Sequence, residues 1–238
     1  MVLNQFSMDE YNGYFRIATS YGGINSLYVL NMDLEVVVSL EDIAPREQIY
    51  SVRFMANICY LVTFRTVDPF FVIDLADPYN PNVLGELKIS GYSDYLHVYD
   101  ENHVIGVGKE TVPAEEGDFS WYQGVKISLF DVTNVSKPEE IAKYIIGERG
   151  TDSPVLRDHK AFLFDREKNL LVIPVLVADV DESKYPRGVP PYAYGEPVCQ
   201  GAYVFTVSLE FEEKIILRGT ITHIKNGNVT DNAYHVTR

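Results

Sequence analysis

Phe70-Phe71-Val72-Ile73-Asp74-Leu75-Ala76-Asp77-Pro78-Tyr79-Asn80-Pro81 and Ile127-Ser128-Leu129-Phe130-Asp131-Val132-Thr133-Asn134-Val135-Ser136-Lys137-Pro138 read as two copies of one unit. Each is an apolar run ending in Asp, then a turn closed by Pro. A second strand-like run follows each, at 83–89 and 140–146. A weaker copy, Leu27-Tyr28-Val29-Leu30-Asn31-Met32-Asp33, precedes them, and Ala202-Tyr203-Val204-Phe205-Thr206-Val207 follows. Further strand–turn–strand patterns lie between the copies, with turns at Ala56-Asn57, at Asp100-Glu101-Asn102 and at 165–169. The repeating unit is therefore a pair of hairpins.

Asn31 to Asp74 is 43 positions, Asp74 to Asp131 is 57 and Asp131 to Thr206 is 75. Two insertions, about 109–124 and about 179–200, and a stretched 147–157 connection account for the excess. Without them the period returns to about 43, inside the ~40–45 residues of a four-stranded propeller blade. Two sheets packed face to face have no reason to repeat strand-turn chemistry at that interval. Phe15-Arg16-Ile17-Ala18-Thr19 and Lys126-Ile127-Ser128-Leu129-Phe130 alternate with period two, as strands do. Glu139-Glu140-Ile141-Ala142-Lys143 could open a helix, but Tyr144-Ile145-Ile146 continues it as a strand. The expected fold is an all-β propeller of about four four-stranded blades. Residues 1–238 are expected to form one propeller domain or a fragment of a larger propeller. About three blades are complete, and the first lacks its first hairpin strand.

Composition agrees with that reading and excludes other classes. Hydrophobic residues make up 46% and charged residues 23% of 238, ordinary for a globular chain. The 17 Tyr and 12 Phe favour strands. A formal charge of −14 argues against a nucleic-acid partner, which needs a basic face to displace counterions. It argues equally against a polybasic grip on anionic lipid. No run is long and apolar enough to insert into a membrane as a helix. Two cysteines are too few for a disulfide framework, and Cys59, inside Ile58-Cys59-Tyr60-Leu61-Val62, reads as a small core residue. Residues 1–10 carry neither the basic nor the apolar region of a signal peptide, so the chain is expected to be cytoplasmic or a piece of a longer exported one.

Several motifs together resemble a known family. They are Gln5-Phe6-Ser7-Met8-Asp9-Glu10-Tyr11, Val62-Thr63-Phe64-Arg65-Thr66-Val67-Asp68-Pro69 and Phe71-Val72-Ile73-Asp74-Leu75-Ala76-Asp77-Pro78, with Gly85-Glu86-Leu87-Lys88-Ile89, Tyr99-Asp100-Glu101-Asn102-His103 and Asp158-His159-Lys160-Ala161-Phe162-Leu163-Phe164. The chain, from about residue 5 to 223, is similar to the bacterial and archaeal β-propeller domain distantly related to WD-type repeats and found in secreted or surface proteins. The resemblance implies a propeller fold and a place outside the cell or on its surface as part of a longer chain. It implies no catalytic residues and no reaction. Family members are longer and carry a leader and further blades. The chain is therefore expected to be a piece of a larger wheel or to close by self-association. A half-wheel leaves apolar blade faces open at both ends, and these need covering.

Both insertions fall between the second and third strands of their blades, so they are expected to meet on one face. The first carries Glu110, Glu115, Glu116, Asp118, Phe119, Trp121 and Tyr122. The second carries Tyr185, Tyr192 and Tyr194 among prolines. Aromatic rings on stiff loops offer contact area at low entropy cost and suit recognition of a protein or glycan ligand. The plainer reading is that the loops fold over the rim and bury their own rings.

Asp94, His97, Asp158 and His159 are placed at the starts of two successive innermost strands, where they could converge at the channel mouth. Imidazoles beside carboxylates invite a metal or acid–base role. The D-x-x-H and D-H spacings match no zinc motif, and a hydrogen-bond network between blades explains them as well. Asx turns explain Asp74, Asp77, Asp131 and Asn134. Calcium is possible there, but no twelve-residue ligand loop is present. Asn134-Val135-Ser136 and Asn228-Val229-Thr230 are glycosylation sequons, a pattern common by chance. No G-x-S-x-G, no Cys–His pairing and no H-E-x-x-H occurs, and Gly22-Gly23 and Gly106-Val107-Gly108 read as turn and strand glycines. The leading expectation is a non-catalytic binding or scaffold domain, with no cofactor. The alternatives are a hydrolase-type enzyme with an acid/His site at the channel mouth and a structural module that assembles, as a homo-oligomer, through open blade edges.

Overall fold

A computed structural model describes residues 1–64, 68–117 and 119–222. Among the described residues sixteen strands form four antiparallel sheets, each in sequential order. Blade 1 holds β1 (Met8–Tyr11), β2 (Tyr14–Tyr21), β3 (Ile24–Leu30) and β4 (Val36–Leu40). Blade 2 holds β5 (Gln48–Met55), β6 (Ile58–Phe64), β7 (Asp68–Asp74) and β8 (Asn82–Ile89). Blade 3 holds β9 (Tyr92–Asp100), β10 (His103–Pro113), β11 (Ser120–Asp131) and β12 (Glu139–Ile146). Blade 4 holds β13 (Leu163–Asp165), β14 (Leu170–Asp179), β15 (Glu196–Val207) and β16 (Ile215–Ile221). The repeat read from the sequence is thus the blade.

The first blade is complete, which corrects the expectation that it lacks a strand. Met8-Asp9-Glu10-Tyr11 is short and acidic and carries little strand propensity. The readable signal was Asn12-Gly13. Both residues have positive φ, 53° and 78°, the geometry of a two-residue hairpin turn. Gly22 and Gly23, at 61° and 80°, close the next hairpin in the same way.

The insertion at 109–124 is built mostly as an extended hairpin. β10 runs on to Pro113 and β11 starts at Ser120, with Thr111, Val112 and Pro113 facing Tyr122, Trp121 and Ser120. Its Asp118 lies outside the described residues, as do 65–67 of the family-like stretch, His223 and the Asn228 sequon. The second insertion is a true connection, 180–195, with a single 3-10 turn at Glu182–Lys184.

The core lies between neighbouring sheets. One apolar cluster joins Leu27 and Val29 of blade 1 to Leu61 and Ile73 of blade 2. A second joins Val62 and Val72 of blade 2 to Leu96 and Phe130 of blade 3. The third joins Ile127 and Leu129 of blade 3 to Ile173 and Phe205 of blade 4. Blades 2 and 3 therefore each bury one face against the blade before and one against the blade after, as radial stacking requires, while blades 1 and 4 each bury one face against an inner blade. Cys59 is fully buried in the first cluster as a free thiol, and burial pushes its pKa up. Among the described residues no such cluster joins blade 4 to blade 1. A 3-10 turn ahead of blade 1, Gln5–Ser7, reaches across instead, and Phe6 packs into the cluster between blades 3 and 4.

Candidate functional site

Two groups of residues singled out from the sequence come together in space. On the rim, the extended β10–β11 hairpin of blade 3 and the 180–195 connection of blade 4 meet. The Trp121 ring lies edge-on to Tyr192 at 5.9 Å and to Phe119 at 5.0 Å. Gln123 donates from Nε2 to the Pro191 carbonyl at 2.9 Å, which ties the two loops together. Arg149 places its guanidinium 5.0 Å from the centre of the Trp121 ring and 5.6 Å from that of Tyr194. It also donates to the Tyr122 carbonyl at 3.1 Å.

Tyr192 and Tyr194 remain 60% and 68% exposed. Trp121 and Tyr185 are half-buried. Tyr122 turns the other way, toward Tyr92 and Phe64 of the cluster between blades 2 and 3, and is separate from the Trp121 group. Arg149 was not legible as part of this patch. It lies 28 residues after Trp121 in a connection with no motif of its own.

Between the start of β9, the Gln5–Ser7 turn and the segment ahead of blade 4, Asp94, Asp158 and His159 line one cavity of about 260 Å³ with Phe6, Tyr95 and Arg157. Asp94 sits at a β-bulge, because Val107 pairs with Tyr95 while Gly108 pairs with Ser93. A bulge re-aims a side chain out of the ladder's alternation. Burial pushes the Asp94 carboxyl up to about 7, against the pull of Lys109 and Arg157. Asp158 caps the 3-10 turn His159–Ala161 by accepting from the Lys160 amide. The His159 ring packs edge-on against Phe6 at 4.8 Å, and its Nε2 lies 3.2 Å from the Gln5 amide nitrogen.

His97 is not part of this cavity. It lies against Phe162 at 4.8 Å, with Nδ1 3.1 Å from the Tyr95 hydroxyl, and burial lowers its pKa to about 4. The sequence placed all four residues at one mouth. His97 shares a face of β9 with Tyr95 and Tyr99 but lies further along the strand than the cavity, against Phe162 and Phe164.

These contacts bear on the chemistry. The carboxylate nearest His159 is Asp158, 4.0 Å away, and His97 is held by a phenol. Among the described residues no group of three or more His, Cys, Asp or Glu is arranged to hold a metal ion. Asp74, Asp77, Asp131 and Asn134 accept from backbone amides two residues on, at 2.8–3.2 Å. Those are Asx turns. A larger apolar cavity of about 410 Å³, which no motif announced, lies between blades 1 and 2 against Leu3, Ala18, Tyr21 and Ile49. No helix among the described residues is long and apolar enough to cross a membrane.

Comparison with known proteins adds relatives. An uncharacterised protein of Archaeoglobus fulgidus is 47% identical over 174 residues, which cover 73% of this chain and 26% of that protein. Uncharacterized protein MJ1554 of Methanocaldococcus jannaschii is 43% identical over 180 residues, covering 73% of this chain and 27% of that one. The chain thus spans about a quarter of the length of these curated relatives. Among solved structures, the β-propeller domain of Cps50 (Swd1) from Myceliophteria thermophila aligns with 93% of this chain and 74% of its own, at 10% identity and a TM-score of 0.42. Cobalt-substituted Synechocystis ACO aligns with 87% and 46%, at 8% identity and a TM-score of 0.38. The model of the Beta propeller domain family matches residues 1–238. With that match running the length of the sequence, the chain belongs to the Beta propeller domain family.

Proposed function

We propose that this propeller is a non-catalytic recognition and scaffold domain of an exported or surface protein. It binds a protein or glycan ligand through the rim that carries Trp121, Tyr192 and Tyr194. The observation that carries this reading is the convergence of two insertions from different blades on one aromatic patch. The Gln123–Pro191 hydrogen bond and the Arg149 guanidinium fix the rings while leaving Tyr192 and Tyr194 open to solvent. Rings held in place lose little entropy on binding, and flat apolar faces beside polar rims suit sugars and peptide side chains alike. Neither nucleic acid nor a membrane is the partner, given the formal charge of −14.

Trp121 is the only tryptophan of the chain, so its fluorescence reports on this rim alone. Titration with soluble chitin, xylan and mannan oligosaccharides, and with aromatic-rich and proline-rich peptides, is expected to quench or shift that emission for one of the two classes. The paired change Tyr192→Ala with Tyr194→Ala is expected to abolish the response. A response that survives the pair, or a Trp121→Ala/Tyr192→Ala protein that loses stability but keeps its ligand, makes the rim a cap rather than a binding face.

A further inference from the structure

The aligned repeat assigns each apolar side chain to one interface. Val29, Val72, Leu129 and Val204 stand two positions before the matched Asn31, Asp74, Asp131 and Thr206. Val29 packs against blade 2, Val72 against blade 3 and Leu129 against blade 4, each essentially fully buried. Val204 points to the same side of its own sheet and is only half-buried. One position later, Ile73, Phe130 and Phe205 point the other way. Each is completely buried against the preceding blade. Their counterpart Leu30 is half-buried.

Blade 4 thus presents an uncovered face of the kind that blades 1 to 3 bury against their successors. Blade 1 presents an uncovered face of the kind that blades 2 to 4 bury against their predecessors. Both faces are apolar. Blade 1 offers Phe15, Ile17, Tyr28, Leu30 and Ile24, the last 55% exposed. Blade 4 offers Leu163, Val172, Leu176, Val204 and Ile221, the last 59% exposed. β14 makes the point within one strand. Leu170-Leu171-Val172-Ile173-Pro174-Val175-Leu176-Val177 is apolar throughout, the pattern of a strand covered on both sides. The structure buries Leu171, Ile173, Val175 and Val177 and leaves the alternate residues half-buried. β6, by contrast, is buried from Cys59 to Phe64 on both sides.

We propose that a second copy of this chain covers both faces. The blade 4 face of one copy, centred on Val204, packs on the blade 1 face of the other, centred on Leu30. The same contact recurs across a two-fold axis and closes a ring of eight blades. The occupant follows from continuity with the three interfaces already formed: each open face has the chemistry that accepts a blade of this repeat. A head-to-tail contact used twice closes, whereas other rotations build filaments. Eight blades lie within the usual range of four to eight. The inference is independent of the rim reading, because neither open face includes Trp121, Tyr192 or Tyr194.

Sedimentation equilibrium or light scattering of the 238-residue chain, at about 150 mM salt to screen repulsion between two acidic copies, reads the answer directly. The expected mass is twice 27.0 kDa, with dissociation on dilution. Leu30→Glu and Val204→Glu are each expected to halve that mass while keeping far-UV strand signal and Trp121 emission. An equimolar mixture of the two variants retains one intact contact and is expected to recover dimer with weakened affinity. A wild-type chain that stays at 27.0 kDa at every concentration overturns the proposal, leaving the faces to other occupants such as further blades of a longer chain. So does a dimer broken by only one of the two variants, which would be face-to-face rather than head-to-tail. If either Glu variant loses its strand signal, Leu30→Ser and Val204→Ser replace it, and the wild-type mass still decides.

Discussion

Blades 2 and 3 differ from blades 1 and 4 less in sequence than in what stands beside them. β6, β10 and β11 bury side chains of both faces, so successive residues are enclosed whichever way they point. β14 alternates between buried and half-buried along a comparable apolar run, and β2 shows the same alternation from Phe15 to Thr19. The same repeat position, one residue before the matched Asx or Thr, holds Phe130 at no exposure and Leu30 at partial exposure. Burial in a stacked-sheet protein is therefore a property of the neighbour as much as of the strand. The stability of each position follows its covering, since each sheet contacts only the blades on either side.

The largest expected effect tests that claim at one repeat position. Phe130 is enclosed and stacks on Phe70 with ring centroids 4.7 Å apart. Phe130→Ala is expected to cost about 3–5 kcal/mol in urea unfolding, the usual loss for a large buried ring. Leu30→Ala at submicromolar concentration, where a lone chain predominates, is expected to cost about 1 kcal/mol. Equal losses would mean that the blade 1 face is as well covered as the inner blades.

The next effect is steric. A methyl at Gly108 would run into the Tyr92 carbonyl, and one at Gly106 would meet the Ser93 hydroxyl and the Phe130 ring. The register of β10 against β9 shifts beside Gly108, at Asp94. Gly108→Ala is expected to cost about 2–3 kcal/mol by the same assay, as overpacking against backbone does. Gly219→Ala, in β16 of an end blade, meets nothing within 4 Å and is expected to change little.

The blade was legible because strand chemistry repeats. Asp74 and Asp131 each close an Asx turn before a Pro, and those turns fix where each third strand ends. β1 was missed because its residues are acidic and short, and only Asn12-Gly13 marked it. The meeting of the two rim insertions followed from strand order alone, since both join second to third strands. Arg149 did not follow from it, because the sequence carries no record of which long connection lies under a given ring. The placement of His97 with Asp94 failed for a different reason. The bulge turns the Asp94 carboxyl to the cavity, whereas His97, three residues further along β9, packs on Phe162 and Phe164, and nothing in Tyr92-Ser93-Asp94-Tyr95 announces a bulge.

That bulge supplies the third test, now of a polar residue between blades 3 and 4. The Asp94 carboxyl titrates at about 7 in the fold and near the ordinary value of 3.8 when unfolded. Between those values the folded state holds the extra proton. Stability from this group therefore falls as pH rises from about 4 to about 7 and levels off above that. Asp94→Asn mimics the protonated form. Melting temperatures at pH 5, 6, 7 and 8 are expected to flatten in the variant, which gains roughly 1–2 kcal/mol over the wild type at pH 8. A variant less stable than the wild type at pH 8 would show that the Lys109 and Arg157 charges outweigh the burial of Asp94.

The rim gives the smallest effect and a third kind of covering. Tyr192 and Tyr194 are exposed rings outside the interblade clusters, with Trp121 beside the first and Arg149 beside the second. An exposed ring that loses a few contacts changes stability by about 0.5 kcal/mol or less. Tyr192→Ala and Tyr194→Ala together are thus expected to leave the urea midpoint nearly unchanged, below the loss for Leu30→Ala on the open blade face. A loss above 1 kcal/mol would rank the rim with the end blades, as surface that the fold itself needs covered. A loss near zero separates the two: the blade faces are then unfinished packing, and the rim is contact area that folding does not use.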